Sequence, residues 1–292
     1  AYTSFLDLST SWGVVGSGYN NWGAFPDAPF FSTKQANVLV AYVTLIDGHI
    51  KFRENNDWAN NFGDNGGDGT LDGGGSDIPV TAGDYKITWN TQTNAYTIEK
   101  YSWGIVGSAY NDWGAAGPDF KFTYDDATDQ WRAIVKLQEG AFKIRKNNDW
   151  GTNFGDSGAD GTLEENGSDM MTEGGKFLIT FNENEKLVAI EPVPEIWGLV
   201  GSAYNNWGAD GPDAQFNRDF RNEGVWVLKN VTLLDGAYKI RDDNNWATNY
   251  GDTGADGTLE LNGTDISSQA GIYTITLNFS DPENPTWTSV KY

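Results

Sequence analysis

The stretch W-G-I-V-G-S-A-Y-N-D-W-G at 103–114 is the head of a cassette that the chain contains three times. Matching stretches begin at Trp12 and Trp197, so every copy follows the pattern W-G-[VIL]-V-G-S-[GA]-Y-N-[ND]-W-G. The copies begin about 90 residues apart, which suits a small independent domain and exceeds the length of a solenoid unit. The sequence therefore predicts three tandem modules of one fold.

A second shared motif, K-[FI]-R-x-[ND]-N-[DN]-W-[AG]-[NT]-N-[FY]-G-D, begins at Lys51, Lys143 and Lys239. Its first three residues are typical of a strand. Side chains alternate across a strand, so we expect the Lys and the Arg on one face and the apolar residue between them on the other. An amide-rich turn follows, and a tryptophan stands at its tip.

Composition excludes several classes of function. The 292 residues include no cysteine, so neither a disulfide nor a thiol nucleophile is available. The single histidine, His49, aligns with alanine in the other copies, which removes shared histidine catalysis and a shared zinc site. The net charge of −22 disfavours nucleic acid and anionic membranes as partners, since both require basic patches. No cofactor is expected, and we expect a monomer.

Glycine- and Asn/Asp-rich turns separate short alternating segments throughout, and convincing helical periodicity is missing. These features predict an all-β protein built from three tandem immunoglobulin-like β-sandwich modules, in preference to closed barrels. In copy 2 we expect a hairpin that pairs 131–137 with 141–146, and a second hairpin that pairs 177–181 with 187–191. The predicted divisions are a leader or linker at 1–11, modules at 12–101, 102–192 and 196–292, and a proline-containing linker at 193–195.

Each copy combines two exposed-looking tryptophans with a basic pair and an asparagine. A large apolar ring on a polar turn is unusual on a soluble surface unless a ligand covers it. We expect the two tryptophan loops to meet at one edge of the sandwich. The predicted ligand-binding residues are Trp22, Lys51, Arg53, Asn56 and Trp58 in copy 1, Trp113, Lys143, Arg145, Asn148 and Trp150 in copy 2, and Trp207, Lys239, Arg241, Asn244 and Trp246 in copy 3.

These residue types suit a sugar. Indole covers the apolar face of a pyranose ring at little cost in side-chain entropy, and Lys, Arg and Asn hydrogen-bond the hydroxyls at its rim. Three structural interpretations stay open beside this one. The tryptophans would pack the two loops together, the basic residues would pair with carboxylates, and the asparagines would only form the turns.

Metal binding and hydrolysis find less support in the sequence. The Gly/Asp segments that begin at Asp64, Asp156 and Asp252 suggest calcium, but they lack the oxygen ligands of an EF-hand at positions 3 and 12. The aligned acids lie in Gly- or Pro-rich turns, whereas a glycosidase needs a carboxyl pair inside a cleft. We therefore predict no metal site, no catalytic residues and no enzymatic activity.

The head motif, the middle motif and the G-A-D-G-T-L stretch before the final strand pair resemble the SusE/SusF family of surface glycan-binding lipoproteins. The ending D-P-E-N-P-T-W at 281–287 is similar as well. The resemblance covers residues 12–292 and implies tandem carbohydrate-binding modules, an α-glucan ligand and the site residues named above. It also implies a lipid-anchored place on the outer face of an outer membrane, beside a TonB-linked transporter and a companion binding lipoprotein. The anchor is expected outside this chain.

The sequence therefore predicts a non-catalytic protein that captures polysaccharide at a bacterial cell surface through several sites, with starch-like α-glucan or maltooligosaccharide as the ligand. A first alternative is the same architecture bound to a β-glucan or another neutral polysaccharide. A second is a protein-binding or calcium-dependent adhesive array.

Overall fold

A computed structural model of the chain describes residues 4–292. These residues form β-strands and two short 3-10 helices, Asp112–Gly114 and Asn206–Gly208, with no α-helix among them. No helix within the described range has the length and apolarity needed to cross a membrane. The sheets are antiparallel and enclose apolar cores, which confirms the predicted all-β sandwich class. Of the predicted leader, 1–3 lie outside the described residues, and 9–11 belong to the first strand.

The strands of copy 1 are β1 (Ser9–Val15), β2 (Ala28–Ser32), β3 (Val38–Leu45), β4 (Gly48–Glu54), β5 (Asp57–Gly63), β6 (Asp72–Gly73), β7 (Ile78–Val80), β8 (Gly83–Asn90) and β9 (Tyr96–Lys100). Those of copy 2 are β10 (Trp103–Val106), β11 (Phe120–Lys121), β12 (Thr123–Asp125), β13 (Gln130–Lys146), β14 (Asn153–Gly155), β15 (Glu164–Glu165), β16 (Met170–Asn182) and β17 (Leu187–Pro192). Those of copy 3 are β18 (Trp197–Gly201), β19 (Ala214–Gln215), β20 (Asn217–Arg218), β21 (Val225–Leu233), β22 (Gly236–Asp242), β23 (Asn245–Gly251), β24 (Glu260–Leu261), β25 (Ile266–Ser268), β26 (Gly271–Asn278) and β27 (Thr286–Lys291).

Copy 3 displays the two layers most clearly. One sheet has the order β19-β18-β22-β23-β24, with β25 also on β22, and the other has the order β20-β21-β26-β27. In copy 1 the strands form a single continuous sheet, β6-β5-β4-β1-β2-β3-β8-β9, with β7 also on β4. In copy 2 the long strand β13 pairs with β10 and β14 and also with β12 and β16. The same pairings recur although the sheets are joined differently.

The head strand pairs with the middle-motif strand in one register in all three copies. Gly104 lies opposite Arg145, and Gly13 and Gly198 lie opposite the matching arginines. A Cβ atom at Gly104 would lie only 2.6 Å from the Cβ atom of Asp119. Glycine at this position therefore leaves room for an acid from the following loop, and this acid becomes part of the site.

One of the two predicted hairpins is wrong. Residues 131–137 and 141–146 belong to one strand, β13, whose two ends pair with different neighbours and not with each other. The corresponding strands of copy 1, β3 and β4, are likewise not hydrogen-bonded to each other. The Gln138-Glu139-Gly140 segment thus continues the strand and does not reverse it. The second predicted hairpin is confirmed, since β16 pairs with β17.

The described chain divides into two compact units. Unit 1 holds the described residues up to Ala133 together with Gln138–Glu173 and Thr180–Ala189, and unit 2 holds Ile134–Leu137, Gly174–Ile179 and Ile190–Tyr292. The predicted boundaries of the three modules stay a prediction. Phe30, Phe52 and Trp89 are the largest buried side chains of one core in unit 1. Trp226 and Leu277 lie in the core of unit 2.

Unit 1 also contains an aromatic cluster that joins residues of copies 1 and 2. The ring of Tyr42 lies 4.7 Å from that of Trp131 and 4.6 Å from that of Tyr124, measured between centroids. The Tyr101 hydroxyl donates to the Glu183 carboxylate. The pKa values of Tyr42 and Tyr101 are both raised. Burial is the main cause, and the negative charge of Glu183 is the second.

Candidate ligand-binding site

The head loop turns back on itself through a buried asparagine. In copy 2, Asn111 is 3% exposed and accepts a hydrogen bond from the Gly107 amide at 3.1 Å. Its Nδ2 donates to the Gly117 carbonyl at 3.1 Å and to Asp119 Oδ1 at 3.0 Å. Asn20 and Asn205 make the same three kinds of contact in the other copies. This asparagine therefore determines the shape of the loop.

The tryptophan that follows has a backbone conformation that is rare for a large side chain. Its φ angle is +62° at Trp22, +58° at Trp113 and +59° at Trp207, and the preceding residue is also left-handed in each copy. Such a conformation costs about 1–3 kcal/mol and persists only where the surroundings enforce it. Here the buried asparagine enforces it, and the turn brings the indole to the edge of the sandwich.

The two tryptophans of each copy form a pair, as predicted. Their ring centroids lie 5.9 Å apart in Trp22–Trp58, 6.0 Å in Trp113–Trp150 and 6.0 Å in Trp207–Trp246, and the ring planes make angles of 42°, 37° and 39°. Trp58, Trp150 and Trp246 are 43%, 45% and 44% exposed. Each pair is thus a bent apolar surface that remains open to solvent.

The arginine of the middle motif lies beneath the second tryptophan and is buried. In copy 2, Arg145 is 6% exposed, and its guanidinium carbon lies 4.7 Å from the centre of the Trp150 ring. Its Nε and Nη2 donate to Asp119 at 2.6 and 2.9 Å. Copies 1 and 3 repeat this arrangement with Arg53–Asp27 and Arg241–Asp213. The arginine is therefore committed to a carboxylate and supports the ring.

The lysine and the asparagine of the predicted site differ from the arginine. Lys143 is 9% exposed, and no ion pair or hydrogen bond reaches its Nζ from any residue between 4 and 292. Asn148 Oδ1 accepts from the Asp119 amide at 2.9 Å and so ties the two loops together, but its Nδ2 has no partner within that range. Lys51, Asn56, Lys239 and Asn244 stand at the same positions in the other copies. Each copy thus retains an unpaired ammonium group and an unpaired amide beside the indoles.

Two residues of the site are absent from the set of ligand-binding residues that the sequence predicts. Asp119 pairs with the arginine, although its place in a turn indicates neither this contact nor a catalytic role. Asn111 shapes the loop, although the head motif alone does not say what its side chain contacts. The asparagine stands two residues before the tryptophan in every copy, the aspartate follows it by five or six residues, and this recurrence is the signal that could have found them. Burial and then the nearby Asp119 carboxylate raise the pKa of Tyr110 in the same loop, so the phenol stays neutral.

The Gly/Asp segments are turns held by their first acid. Asp64 Oδ1 accepts from the Asp68 amide at 3.1 Å, Oδ2 accepts from the Gly69 amide at 3.0 Å, and a hydrogen bond from Tyr96 is the main reason that the pKa of Asp64 is lowered. In copy 3, one carboxylate oxygen from each of Asp252, Asp256 and Glu260 lies within 4.8 Å of the others. The oxygens of Asp252 already accept from two backbone amides and from the Trp287 indole. The predicted absence of a metal site stays a prediction.

No protein-family model matches the sequence, and no curated protein matches it. Among the solved structures that match is that of SusF from Bacteroides thetaiotaomicron. This chain is similar to SusF with a TM-score of 0.27 and 18% identity, over 98% of this chain and 73% of that one.

Proposed function

We propose that the chain is a non-catalytic polysaccharide-binding protein in which each tryptophan pair holds a short stretch of one glycan. The tilt of about 40° between the paired indoles carries this proposal. Two tilted rings contact successive sugar rings of a chain that curves, whereas coplanar rings match a flat chain. An α-1,4-glucan turns at every residue and a β-1,4-glucan stays extended, so the tilt favours starch-like α-glucan. The sequence resemblance to the SusE/SusF family favours the same ligand.

The support beneath each pair fits this role. A glycan gains most from a surface that is already in its bound shape, because little entropy is then lost on binding. The buried Arg145–Asp119 pair holds Trp150 from below, and Asn111 holds the turn at Trp113. Lys143 and Asn148 retain free donors for sugar hydroxyls. We assign ligand contact to the tryptophans, Lys143 and Asn148, and a positioning role to Arg145, with the same division in copies 1 and 3.

Three weak sites on one chain explain the repetition. A shallow site of this kind is expected to have a Kd near ~1 mM, which corresponds to about −4 kcal/mol. Simultaneous contact of several sites with one long polymer raises the apparent affinity by ~10²–10⁴ when their spacing permits it. We therefore expect strong retention by polysaccharide and weak binding of short oligosaccharides.

Affinity electrophoresis tests the ligand. The chain is run through native gels that contain amylopectin, pullulan, laminarin or galactomannan. Retardation in amylopectin and pullulan alone is the expected result. Retardation only in laminarin or galactomannan would indicate that the ligand is another neutral polysaccharide and not an α-glucan. No retardation in any gel would show that the chain does not bind these four glycans, and it would favour a protein partner.

Substitution of the exposed tryptophans tests the site. Trp58→Ala, Trp150→Ala and Trp246→Ala are introduced singly and together, and retardation should fall stepwise as sites are lost. The matched control is Met171→Ala, which removes an exposed apolar side chain of copy 2 outside the motifs. Near-ultraviolet circular dichroism of each variant reports the fold. A triple variant that is folded and still fully retarded would show that the tryptophan pairs do not bind the glycan.

The cell surface is the proposed location, again from the sequence resemblance. The same resemblance suggests a lipid anchor outside this chain and cooperation with a TonB-linked transporter and a companion lipoprotein. Such a protein would hold polymer near the transporter while other proteins cut it. Protease treatment of intact cells that express the full-length protein tests the location, since a surface protein should be digested without lysis.

A further inference from the structure

A cavity of about 460 Å³ opens at strands β5 and β6 of copy 1, and its lining on β5 begins at Ala59, the residue after Trp58. Its lining includes Trp12, Asn60, Asn61, Gly73 and Gly74. The volume lies within the ~300–1,000 Å³ typical of small-molecule sites. Trp12 supplies an apolar wall, and the two asparagines supply donors and acceptors. An apolar wall can contact the C–H face of a pyranose ring, and the amides can hydrogen-bond its hydroxyls.

The residues that open this cavity are the ones in which copy 1 departs from the other copies. Gly73 and Gly74 occupy the places of Glu165 and Asn166 in copy 2 and of Leu261 and Asn262 in copy 3. Asn60 stands where the other copies have threonine. The Gly74 amide donates to the Asn61 carbonyl at 2.9 Å, and the Asn166 amide makes the same bond to Asn153. The backbone is therefore shared, and only the side chains that would fill the space are absent.

The same departure leaves Asn61 with unused hydrogen-bonding capacity. In copies 2 and 3 the equivalent Nδ2 donates at 3.0 Å both to a tryptophan carbonyl and to the Oδ1 of the facing asparagine. Asn61 Nδ2 makes only the first of these bonds, to the Trp58 carbonyl at 3.0 Å. The Oδ1 atoms of Asn61, Asn153 and Asn249 are all buried and have no partner among residues 4–292, so this oxygen does not distinguish copy 1. Copy 1 therefore differs in one N–H of the Asn61 amide, which has no partner among residues 4–292 and could donate to a ligand hydroxyl.

We propose that this cavity is a further sugar subsite, specific to copy 1, which takes one additional pyranose ring of the glycan held by Trp22 and Trp58. The proposal rests on the proposed function and deepens it. Asn61 follows Trp58 by three residues on β5, where the pairing with β4 is irregular, and its Nδ2 donates to the Trp58 carbonyl at 3.0 Å. A glycan that leaves the Trp58 ring along this strand reaches the cavity within a few sugar residues. Site 1 therefore prefers longer oligosaccharides than sites 2 and 3.

The test fills the cavity with the residue that copies 2 and 3 already use. Trp150→Ala and Trp246→Ala first confine binding to site 1, and Gly74→Asn is then added. Gly74 has a φ of +63°, Asn166 has a φ of +57°, and a Cβ atom at Gly74 meets nothing within 4 Å, so the fold should be retained. Gly67→Asn is the matched control, since Gly67 has a φ of +64° and equal space but lies outside the cavity.

Isothermal titration with maltotriose and maltoheptaose gives the readout. Gly74→Asn should weaken maltoheptaose binding about 5-fold, which corresponds to about 1 kcal/mol, and should leave maltotriose binding unchanged. Gly73→Glu, which fills the space from the neighbouring position, should act in the same way, and Gly67→Asn should change neither ligand. Unchanged maltoheptaose binding in both cavity variants, or equal weakening of the two ligands, would overturn the subsite. Absence of binding to both ligands before the cavity is filled would overturn the proposed function at this copy, and the subsite with it.

Discussion

The buried ion pair between Arg145 and Asp119 should decide whether the second tryptophan pair can form. Their side chains are 8% and 2% exposed, and Arg145 Nε lies 2.6 Å from Asp119 Oδ2. Asp119→Asn keeps the size of the side chain and removes its charge. The guanidinium then stays buried beneath Trp150 without a counter-charge.

The expected loss of stability follows from the burial of the two side chains. The N–O distance does not set it, because an exposed ion pair can have the same distance. Removing one partner of a buried ion pair costs about 3–5 kcal/mol because the other charge is left uncompensated. An exposed pair contributes only about 0–1 kcal/mol. Lys121 and Asp84 form such a pair in the same unit, also at 2.6 Å but with side chains 50% and 25% exposed. Lys121→Gln is therefore a control with the same geometry and different burial.

Two measurements check this prediction. Urea unfolding followed by tryptophan fluorescence should give a free energy of unfolding about 3–5 kcal/mol lower for Asp119→Asn, and at most about 1 kcal/mol lower for Lys121→Gln. In a chain that also carries Trp58→Ala and Trp246→Ala, Asp119→Asn should weaken glycan binding at the remaining site more than 10-fold. Equal, small losses of stability in the two variants would refute the supporting role of the buried pair.

Three further outcomes are expected. Asn111→Ala should cost about 2–3 kcal/mol in urea unfolding, because the buried Gly107 amide loses its acceptor, whereas Ser157→Ala in an exposed turn should cost less than about 1 kcal/mol. Burial, and then Glu183, raise the pKa of Tyr42 and Tyr101, so these phenols stabilise the fold fully below their ordinary pKa of about 10 and this contribution is lost as the pH rises above it. The urea midpoint should therefore fall between about pH 9 and about pH 11, and an unchanged midpoint would contradict the assignment. Chelator should not alter retardation in amylopectin gels, and loss of retardation would favour a calcium-dependent adhesive array.

The sequence predicted the class of fold because the repeated motifs carry strand alternation in their spacing. It predicted that the loops of Trp113 and Trp150 meet, since each carries an exposed-looking indole on a polar Asn/Asp turn. It did not predict the course of 130–146. A Gln-Glu-Gly segment between two apolar runs is compatible with a tight turn and with a bend inside one strand, and only the tertiary packing of the two sheets selects the bend.

The sequence named residues that lie around each tryptophan pair but not what each side chain contacts, and their binding of a ligand stays a prediction. Alternation places Lys143 and Arg145 on one face, but it does not say what lies above each of them. Asp119 comes from a loop that is distant along the chain, and it reaches Arg145 only because Gly104 has no side chain. The angle between the indoles depends on a left-handed tryptophan, which residue preferences argue against and which the contacts of Asn111 impose.

The support beneath the indoles is the same in the three copies, whereas the residues around them differ, and the two features have different consequences for the proposed binding. The centroid distances and ring angles agree closely among the three copies, so the tryptophan pairs alone should not distinguish one glycan length from another. Differences must arise where the copies differ in sequence. Gly73 and Gly74 at β6 of copy 1 are such a place, because they lack the side chains of Glu165 and Asn166 while the backbone hydrogen bond at this position is kept. Under the proposed function, we therefore expect one chain to bind one polymer at three places with unequal preferences, because a repeated and well-supported tryptophan pair is surrounded by edges that differ.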